Sequence, residues 1–375
     1  MKKNKAATQF SDNDKSYMEI ALRLSRRGLG TTFPNPSVGC VIVKGSHIIG
    51  RGWTGRGGRP HAERQALDNC TNDTSGATAY VTLEPCAHFG KTSPCAVALV
   101  EANISKIIIA TGDPDPRVSG KGVSILEDAG IDVYFGLLKE EADFINLGFF
   151  KKIQKEKPLV TIKIASSADG KISANLGEKT WVTGAEARRR GHLYRANHDA
   201  ILVGIGTVLI DDPMLDCRIK GLEKRSPVRV LLDSNLRLSE NSKFCKSAQK
   251  IPLWVMTCSN DQEKIKELEN LGLRIFIIDK NDQGKLDLHH VMKVLSEQGI
   301  TRVLSEGGGQ VNASLIKASL VDRFIWFKSR ENIGESGVNA LYDISINQLD
   351  EHLNLSLINQ GAAGADNWQE FEIIS

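Results

Sequence analysis

The chain has 375 residues, 41% of them apolar and 25% charged, the make-up of an ordinary water-soluble globular protein and a length that fits two domains better than one. Its 48 basic and 45 acidic residues leave a net charge of only +3, so the expected partner is a small molecule, with no nucleic acid and no membrane. The basic start Met1-Lys-Lys-Asn-Lys5 lacks the apolar core of a secretory signal, and seven thinly spread cysteines argue for a reducing cytoplasm against a disulfide framework.

Residues 1–13 read as disordered. From Asp14 an amphipathic helix puts Tyr17, Ile20, Ala21 and Leu24 on one face and Arg23, Arg26 and Arg27 on the other, and Gly28 and Gly30 end it. Thr32-Phe-Pro-Asn-Pro-Ser-Val-Gly39 is held extended by its prolines and feeds a buried strand, Cys40-Val-Ile-Val43, with a return strand at His47-Ile-Ile49. A loop dense in Gly and Arg leads from Gly50 to Pro60, placed here at the first position of a helix that would carry His61 and Glu63 in its first turn. Strands follow at Thr78–Leu83, Ile107–Ala110 and Ile131–Phe135, and helices at Ala96–Ala102 and Val123–Leu126, an α/β layered alternation.

Three side chains in this half carry chemistry. His61 offers an imidazole, and Cys86 and Cys95 offer two thiolates, the donors of a zinc whose fourth position stays open to water. Zinc lowers the pKa of bound water to about 7. Glu63, two residues past the histidine, is the group expected to move the proton. His-x-Glu followed by Pro-Cys is the signature of zinc nucleobase deaminases, although the Cys86–Cys95 gap is longer than the usual two residues. A packed histidine with two core thiols is the bland reading. A structural zinc closed by His88 is another, and it leaves Glu63 without a role. Cys40, Cys70, Cys217, Cys245 and Cys258 read as ordinary free thiols.

Lys151-Lys-Ile-Gln-Lys-Glu-Lys-Pro158 reads as a charged linker, dividing the chain into domains 1–152 and 158–375. Beyond it come a strand at Leu159–Ala165, a turn at Ser166–Gly170, and a basic helix at Ala185–Ala196 preceded by Trp181-Val-Thr-Gly184. A buried strand, Ala200–Val203, then runs into a turn at Gly204–Thr207. Further strands are expected at Val228–Asp233, Leu253–Thr257, Arg274–Ile278 and Arg302–Ser305, with helices between them such as Asp261–Leu271. The last strand gives way to Glu306-Gly-Gly-Gly-Gln310 and a helix, Val311–Ala318. Strand, glycine turn and helix start form an anion site, with Gly308 allowing close approach and a positive φ. It is not the GxGxxG fingerprint, so a standard Rossmann domain is not indicated.

With these segments placed, the chain resembles the bifunctional riboflavin-biosynthesis deaminase–reductase family. In the first half the likeness rests on Pro34-Asn-Pro-Ser-Val-Gly39, His61-Ala-Glu63, Thr82-Leu-Glu-Pro-Cys86, His88, Gly90, Thr92 and Pro94-Cys95, with Asp113-Pro-Asp-Pro116 and Gly120-Lys-Gly122. In the second half it rests on Lys163–Gly170, Trp181-Val-Thr183, Arg195-Ala196, Asp199–Gly204, Thr207–Leu215, Arg218, Leu232-Asp-Ser234 and Glu306-Gly-Gly308. The resemblance implies a cytidine-deaminase-like layered domain followed by a dihydrofolate-reductase-like α/β domain. It also implies one Zn2+, NADPH, a pyrimidine ribosyl phosphate as substrate, and a homo-oligomer. The long gap between the two cysteines is the family's own.

Residue by residue, the resemblance assigns His61, Cys86 and Cys95 to zinc and Glu63 to catalysis. Asn35, Lys91, Lys179, Arg195, Leu215, Arg218 and Glu306 fall to substrate, and Ala165, Trp181, Thr207, Asp211, Ser234 and Gly308 to NADPH. Lys179 stands where the family usually has serine. Arg323-Phe-Ile-Trp-Phe-Lys-Ser-Arg330 replaces a glutamate and a later apolar-Pro-Lys run. The competing enzyme is a nucleoside or tRNA deaminase with an unrelated C-terminal domain. A non-catalytic nucleotide-binding regulator is a third reading, and it would be expected to lack Glu63 or a ligand.

Overall fold

A computed structural model describes residues 10–88, 93–116, 118–175, 180–346, 349 and 353–374. The chain divides into two compact units, Met1–Glu156 and Lys157–Ser375. Among the described residues no helix is long and apolar enough to cross a membrane.

The first unit runs α1 (Asp12–Ser25), β1 (Gly39–Lys44), β2 (His47–Trp53), α2 (Ala62–Asp68), β3 (Thr78–Val81), α3 (Cys95–Glu101), β4 (Lys106–Ile109), α4 (Lys121–Asp128), β5 (Asp132–Phe135) and α5 (Lys139–Lys155). Its sheet has the order β2-β1-β3-β4-β5, with β1 antiparallel to β2 and β3, and β3, β4 and β5 parallel. Side chains alternate across it. Cys40, Ile42, Ala79 and Ile107 face a core closed by Ala62, Ala66, Leu99 and Leu126 of α2, α3 and α4. Val41, Val43, Tyr80 and Ile108 face Met18 and Ala21 of α1 and Ala142 and Ile145 of α5. Gly52 lets α2 sit directly on β2, since a Cβ there would lie 2.2 Å from the Ala62 carbonyl oxygen.

Several boundaries differ from the sequence reading. The first helix begins at Asp12, because Ser11 accepts from the Asp14 amide while Asp14 reaches back to the Ser11 amide, a closed capping box. Pro60 is not in the first helical position. It follows a cis Arg59–Pro60 bond, His61 takes the cap in extended geometry, and α2 starts one residue later. Residues 151–155 are no linker but the last turn of α5, where Lys152 and Lys155 suit the negative end of the helix dipole. Glu156, in the left-handed conformation, ends it.

The second unit runs β6 (Leu159–Ser166), β7 (Lys171–Ser173), α6 (Ala185–Ala196), β8 (Ala200–Gly204), α7 (Ile205–Asp211), β9 (Val228–Leu232), α8 (Lys243–Lys246), β10 (Leu253–Thr257), α9 (Gln262–Asn270) and β11 (Arg274–Ile277). It continues α10 (Leu288–Glu297), β12 (Arg302–Ser305), α11 (Gly309–Lys317), β13 (Arg323–Lys328), β14 (Val338–Asn339), β15 (Leu355–Ala363) and β16 (Asp366–Ile373). The expected turn at Gly204–Thr207 is instead the start of α7, which springs directly from β8. The divergent segment at Arg323 forms a regular strand, parallel to β6 and antiparallel to β16.

The large sheet has the order β11-β10-β9-β8-β12-β6-β13-β16-β15, parallel from β11 through β13. After β8 the chain builds outward through β9, β10 and β11. It then returns to insert β12 between β8 and β6. In open α/β sheets ligands bind at such a reversal, here beyond the C-terminal ends of β6, β12 and β8. At the opposite end the buried Asp199 carboxylate accepts from the Thr301 amide at 2.8 Å, the Thr301 hydroxyl at 2.7 Å and the Arg302 amide at 3.0 Å, locking β8 to β12.

Two candidate active sites

In the first unit, His61 caps α2, Cys86 lies in the loop leaving β3, and Cys95 opens α3. His61 Nδ1 stands 3.5 Å from Cys86 Sγ and 3.3 Å from Cys95 Sγ, and the three donor atoms all lie within 4.8 Å of one another. Zn–S bonds of about 2.3 Å and Zn–N bonds of about 2.0 Å at a tetrahedral centre set donors roughly 3.5 Å apart, so the set fits zinc. Among the described residues no fourth His, Cys, Asp or Glu joins the group, and His88 is exposed outside it. One corner is therefore left to water or substrate, which speaks against a closed structural site.

The thiols are not equivalent. Hydrogen bonds from the Cys95 thiol and from His61 hold Cys86 down to about 4, while the same contact and burial push Cys95 up. The Cys95 amide, at the start of α3, also donates to Cys86 Sγ at 3.3 Å. Glu63 is buried at 3% exposure in the first turn of α2, and burial, then the Cys86 sulfur, raises its carboxyl to about 7. A carboxyl so placed can take and return a proton at neutral pH, although a bound cation pulls the other way.

Glu84 is a part of this site that the sequence reading missed. Its carboxylate accepts from the amides of Gly120 and Gly122, both at 3.1 Å, and Val123 at 3.4 Å, at the start of α4. This fastens the segment that leads straight into Pro85 and Cys86. The signal was a glutamate before Pro-Cys and a distant Gly-Lys-Gly helix start. Asn35 donates from Nδ2 to the Gly58 carbonyl at 3.3 Å, in the loop that ends at His61. Lys91 lies outside the described residues.

In the second unit, Glu306 leaves β12 and meets Arg195 of α6 in a two-pronged pair, Nε to Oε1 at 2.7 Å and Nη2 to Oε2 at 2.9 Å. Lys163 of β6 brings its ammonium to 3.9 Å from Oε2. Burial pushes Glu306 up, but the Arg195 and Lys163 charges outweigh it and hold the carboxylate down to about 2. Burial likewise lowers Lys163. Arg195 is therefore not part of a solvated helix face, and Glu306 is not a helix cap, the cap of α11 being Gly308. Lys163 was not singled out as a site residue, although a lysine interrupting the apolar run Leu159–Ala165 was a visible signal.

Arg195 Nη1 donates to the Asp216 carbonyl at 3.0 Å, and the fully buried Arg229 donates to the Met214 carbonyl at 3.4 Å, fixing the segment that carries Leu215 and Arg218. Leu215 buries its side chain in the core with φ +52°, which leaves only its backbone for any ligand to meet. Arg218 is exposed, with Nε 3.5 Å from Asp216. Lys179 lies outside the described residues.

Of the residues expected on the cofactor side, Gly308 and Thr207 are brought together, since a Cβ on Gly308 would lie 3.6 Å from Thr207 Oγ1. Gly308 has φ −63°, so the positive φ expected of it is not found; what matters is its bare backbone at the start of α11. Asp211 ends α7 with Oδ1 buried and no partner among the described residues, an acceptor that a ribose hydroxyl would satisfy. Ala165 stands at the end of β6, and Ser234 follows β9, its carbonyl taking the Cys258 amide at 3.1 Å. Trp181 is not a core residue. It is 64% exposed beneath the Arg188 guanidinium, 4.8 Å from the ring centre. The bare glycine turn and the unsatisfied Asp211 oxygen fit a dinucleotide.

Comparison with known proteins covers both units. Residues 158–358 match the model of the RibD C-terminal domain, and residues 11–111 that of the cytidine and deoxycytidylate deaminase zinc-binding region. The riboflavin biosynthesis protein RibD of Actinobacillus pleuropneumoniae is 39% identical over 363 residues, 96% of each chain. Acinetobacter baumannii RibD superposes with a TM-score of 0.86 at 36% identity, covering 97% of this chain and 99% of that one. A diaminohydroxyphosphoribosylaminopyrimidine deaminase/5-amino-6-(5-phosphoribosylamino)uracil reductase from Thermotoga maritima does so with a TM-score of 0.84 at 33% identity, covering 96% and 99%.

Proposed function

The chain belongs to the RibD family of riboflavin-biosynthesis proteins, and on that footing we propose how its own residues divide the family's two reactions. It is a bifunctional enzyme, a zinc-dependent deaminase followed by an NADPH-dependent reductase. The match of residues 158–358 to a RibD domain excludes the nucleoside or tRNA deaminase with an unrelated C-terminal half.

Met1–Glu156 is the deaminase unit in this reading, and its substrate is diaminohydroxyphosphoribosylaminopyrimidine. His61, Cys86 and Cys95 hold the metal. Zinc, when bound, supplies a Lewis acid that brings a water's pKa near neutrality. Glu63 accepts that water's proton as oxygen adds to the ring carbon, and returns it to the departing amine, which leaves as ammonia. Asn35, held by Gly58, reads the pyrimidine edge, and Lys91 meets the ribose phosphate.

Lys157–Ser375 is the reductase unit. NADPH supplies a hydride to C1′ of the opened sugar. The Arg195–Glu306 pair, with Leu215, Arg218 and Lys179, positions the sugar phosphate. Lys163, its ammonium destabilised by burial, stands where it can give up a proton as the sugar is reduced. Ala165, Trp181, Thr207, Asp211, Ser234 and Gly308 line the cofactor's path.

The observation that carries the reading is the three-donor cluster beside a buried carboxyl two residues from its histidine. The test is to supply the full chain with zinc and the pyrimidine phosphate. Ammonia should appear without NADPH, and NADPH should be consumed only afterwards. Release of ammonia from free cytidine instead of this substrate would overturn it.

We further place the protein in the cytoplasm, supported by seven cysteines that are all free thiols. No role in nucleic-acid binding is assigned, in keeping with the near-neutral net charge. A homo-oligomer is supported by Leu209 and Ile210, neighbours on α7 that are 55% and 53% exposed. Sedimentation of the full chain as a monomer at micromolar concentration would remove that part.

A further inference from the structure

The segment that follows α7 ends in Arg218, and each residue just before it is fastened. Leu215 buries its side chain in the core. The Asp216 carbonyl accepts from Arg195 Nη1 at 3.0 Å. The Cys217 amide donates to Ser226 Oγ at 3.0 Å, and its buried thiol lies 3.5 Å from the His192 carbonyl oxygen. What remains to set the direction of Arg218 is its own amide. That amide donates to Nδ1 of His192 at 3.4 Å, and it has no other acceptor among the described residues.

His192 stands one turn before Arg195 on α6, so the two side chains leave the helix on the same side. Its Nδ1 also lies 3.1 Å from the Asp216 carbonyl oxygen. One ring nitrogen cannot serve both groups, since a carbonyl needs its hydrogen and an amide needs its lone pair. The Asp216 carbonyl already has the Arg195 hydrogen bond. A hydrogen on Nδ1 would point toward the hydrogen of the Arg218 amide and leave that amide unsatisfied. The lone pair therefore belongs on Nδ1 and the proton on Nε2. Burial, then the Arg195 and Arg218 charges, lowers the imidazole's pKa, which keeps the lone pair available.

We infer that His192 is a positioning residue of the reductase, whose Nδ1 orients the Arg218 backbone and, through it, the side chain that meets the sugar phosphate. This rests on the substrate-side reading of Arg218 above. The experiment measures kcat and KM for already deaminated substrate, and NADPH affinity, in full-length wild type, His192→Ala, His192→Asn and His192→Gln, with Arg218→Ala in parallel. An asparagine amide falls where Nδ1 stood, and a glutamine amide where Nε2 stood. In His192→Ala, KM should rise about tenfold, the scale of one lost hydrogen bond, with kcat held within about threefold and NADPH affinity within about twofold. His192→Asn should bring KM back to within about threefold of wild type, and His192→Gln should not.

Rescue by glutamine in place of asparagine would mean that Nε2 meets the ligand itself, and would overturn the assignment. Unchanged KM in His192→Ala, or equal losses in the alanine and asparagine variants, would overturn it too. The asparagine–glutamine comparison decides the matter if the alanine variant fails to fold. If Arg218→Ala raises KM while His192→Ala does not, the substrate side stands and the positioning role falls. If Arg218→Ala leaves KM unchanged with NADPH still bound, both fall together.

Discussion

Arg195 and Glu306, 111 residues apart in the chain, close on each other through two parallel hydrogen bonds of 2.7 and 2.9 Å. Both side chains are largely buried, at 14% and 12% exposure, and Lys163 completes the cluster. Removing the carboxylate by Glu306→Ala leaves two buried cations unbalanced, which should cost the second unit about 3–5 kcal/mol. Reductase activity should vanish while ammonia release persists. Chemical denaturation, with both activities assayed on one preparation, checks this.

The same pair sets a pH dependence. Burial alone would raise Glu306, but the two cations hold it near 2 against an ordinary value of 4.5. Its contribution is therefore complete above about pH 4.5 and is lost as pH falls toward 2. Thermal unfolding of the second unit across that window should show the loss, and Glu306→Gln should flatten it.

Gly308 and Gly309 separate ligand binding from folding. A Cβ at Gly308 meets only Thr207 Oγ1 at 3.6 Å and φ is ordinary, so Gly308→Val should fold normally and lose NADPH affinity. At Gly309 a Cβ would lie 2.8 Å from the Tyr342 amide nitrogen and 3.1 Å from the Ala340 carbonyl oxygen. Gly309→Ala should therefore destabilise the unit by about 1–3 kcal/mol. Melting curves beside cofactor titrations distinguish the two.

Glu84 touches no proposed ligand atom but fixes the path into Cys86. Freed of its three amides by Glu84→Ala, that segment should loosen, and zinc affinity should fall about 10- to 100-fold, the scale typical of groups that orient metal ligands. Competition with a chelator measures it. An unchanged zinc affinity would make Glu84 a helix cap and nothing more.

The parts of this molecule that could be read from sequence were local. His61-Ala-Glu63, Pro85-Cys86 and Cys95 are short motifs whose chemistry survives any detail of packing, and β8 and β10 are compact apolar runs between turns. The parts that could not be read depend on distant partners. The Arg195–Glu306 contact joins residues 111 positions apart, and the Leu215 segment is held through its own Met214 and Asp216 carbonyls by Arg229 and Arg195, which only the fold brings there. The end of α5 was misread because its lysines resemble a linker, when they complement a helix terminus. The hairpin of β15 and β16 stayed hidden because Asn359, Gln360 and Gly361 carry no apolar alternation on an exposed edge strand.

The α5 correction has its own consequence. A fragment of residues 1–156 keeps the whole helix, with Ala142, Ile145 and Phe149 buried, and should fold and bind one zinc. Residues 1–152 cut its last turn and should melt lower. Circular dichroism with metal analysis compares the two. An insoluble 1–156 fragment would mean that the first unit cannot fold alone.

The central claim is that Glu63 moves the proton in deamination without holding the metal. The most direct test is Glu63→Gln in the full chain, with zinc content, ammonia release, and reduction of already deaminated substrate measured side by side. One zinc per chain should remain, ammonia release should fall by about a hundredfold or more, and reduction should proceed at the wild-type rate. Ammonia release at the wild-type rate with zinc in place would contradict the account.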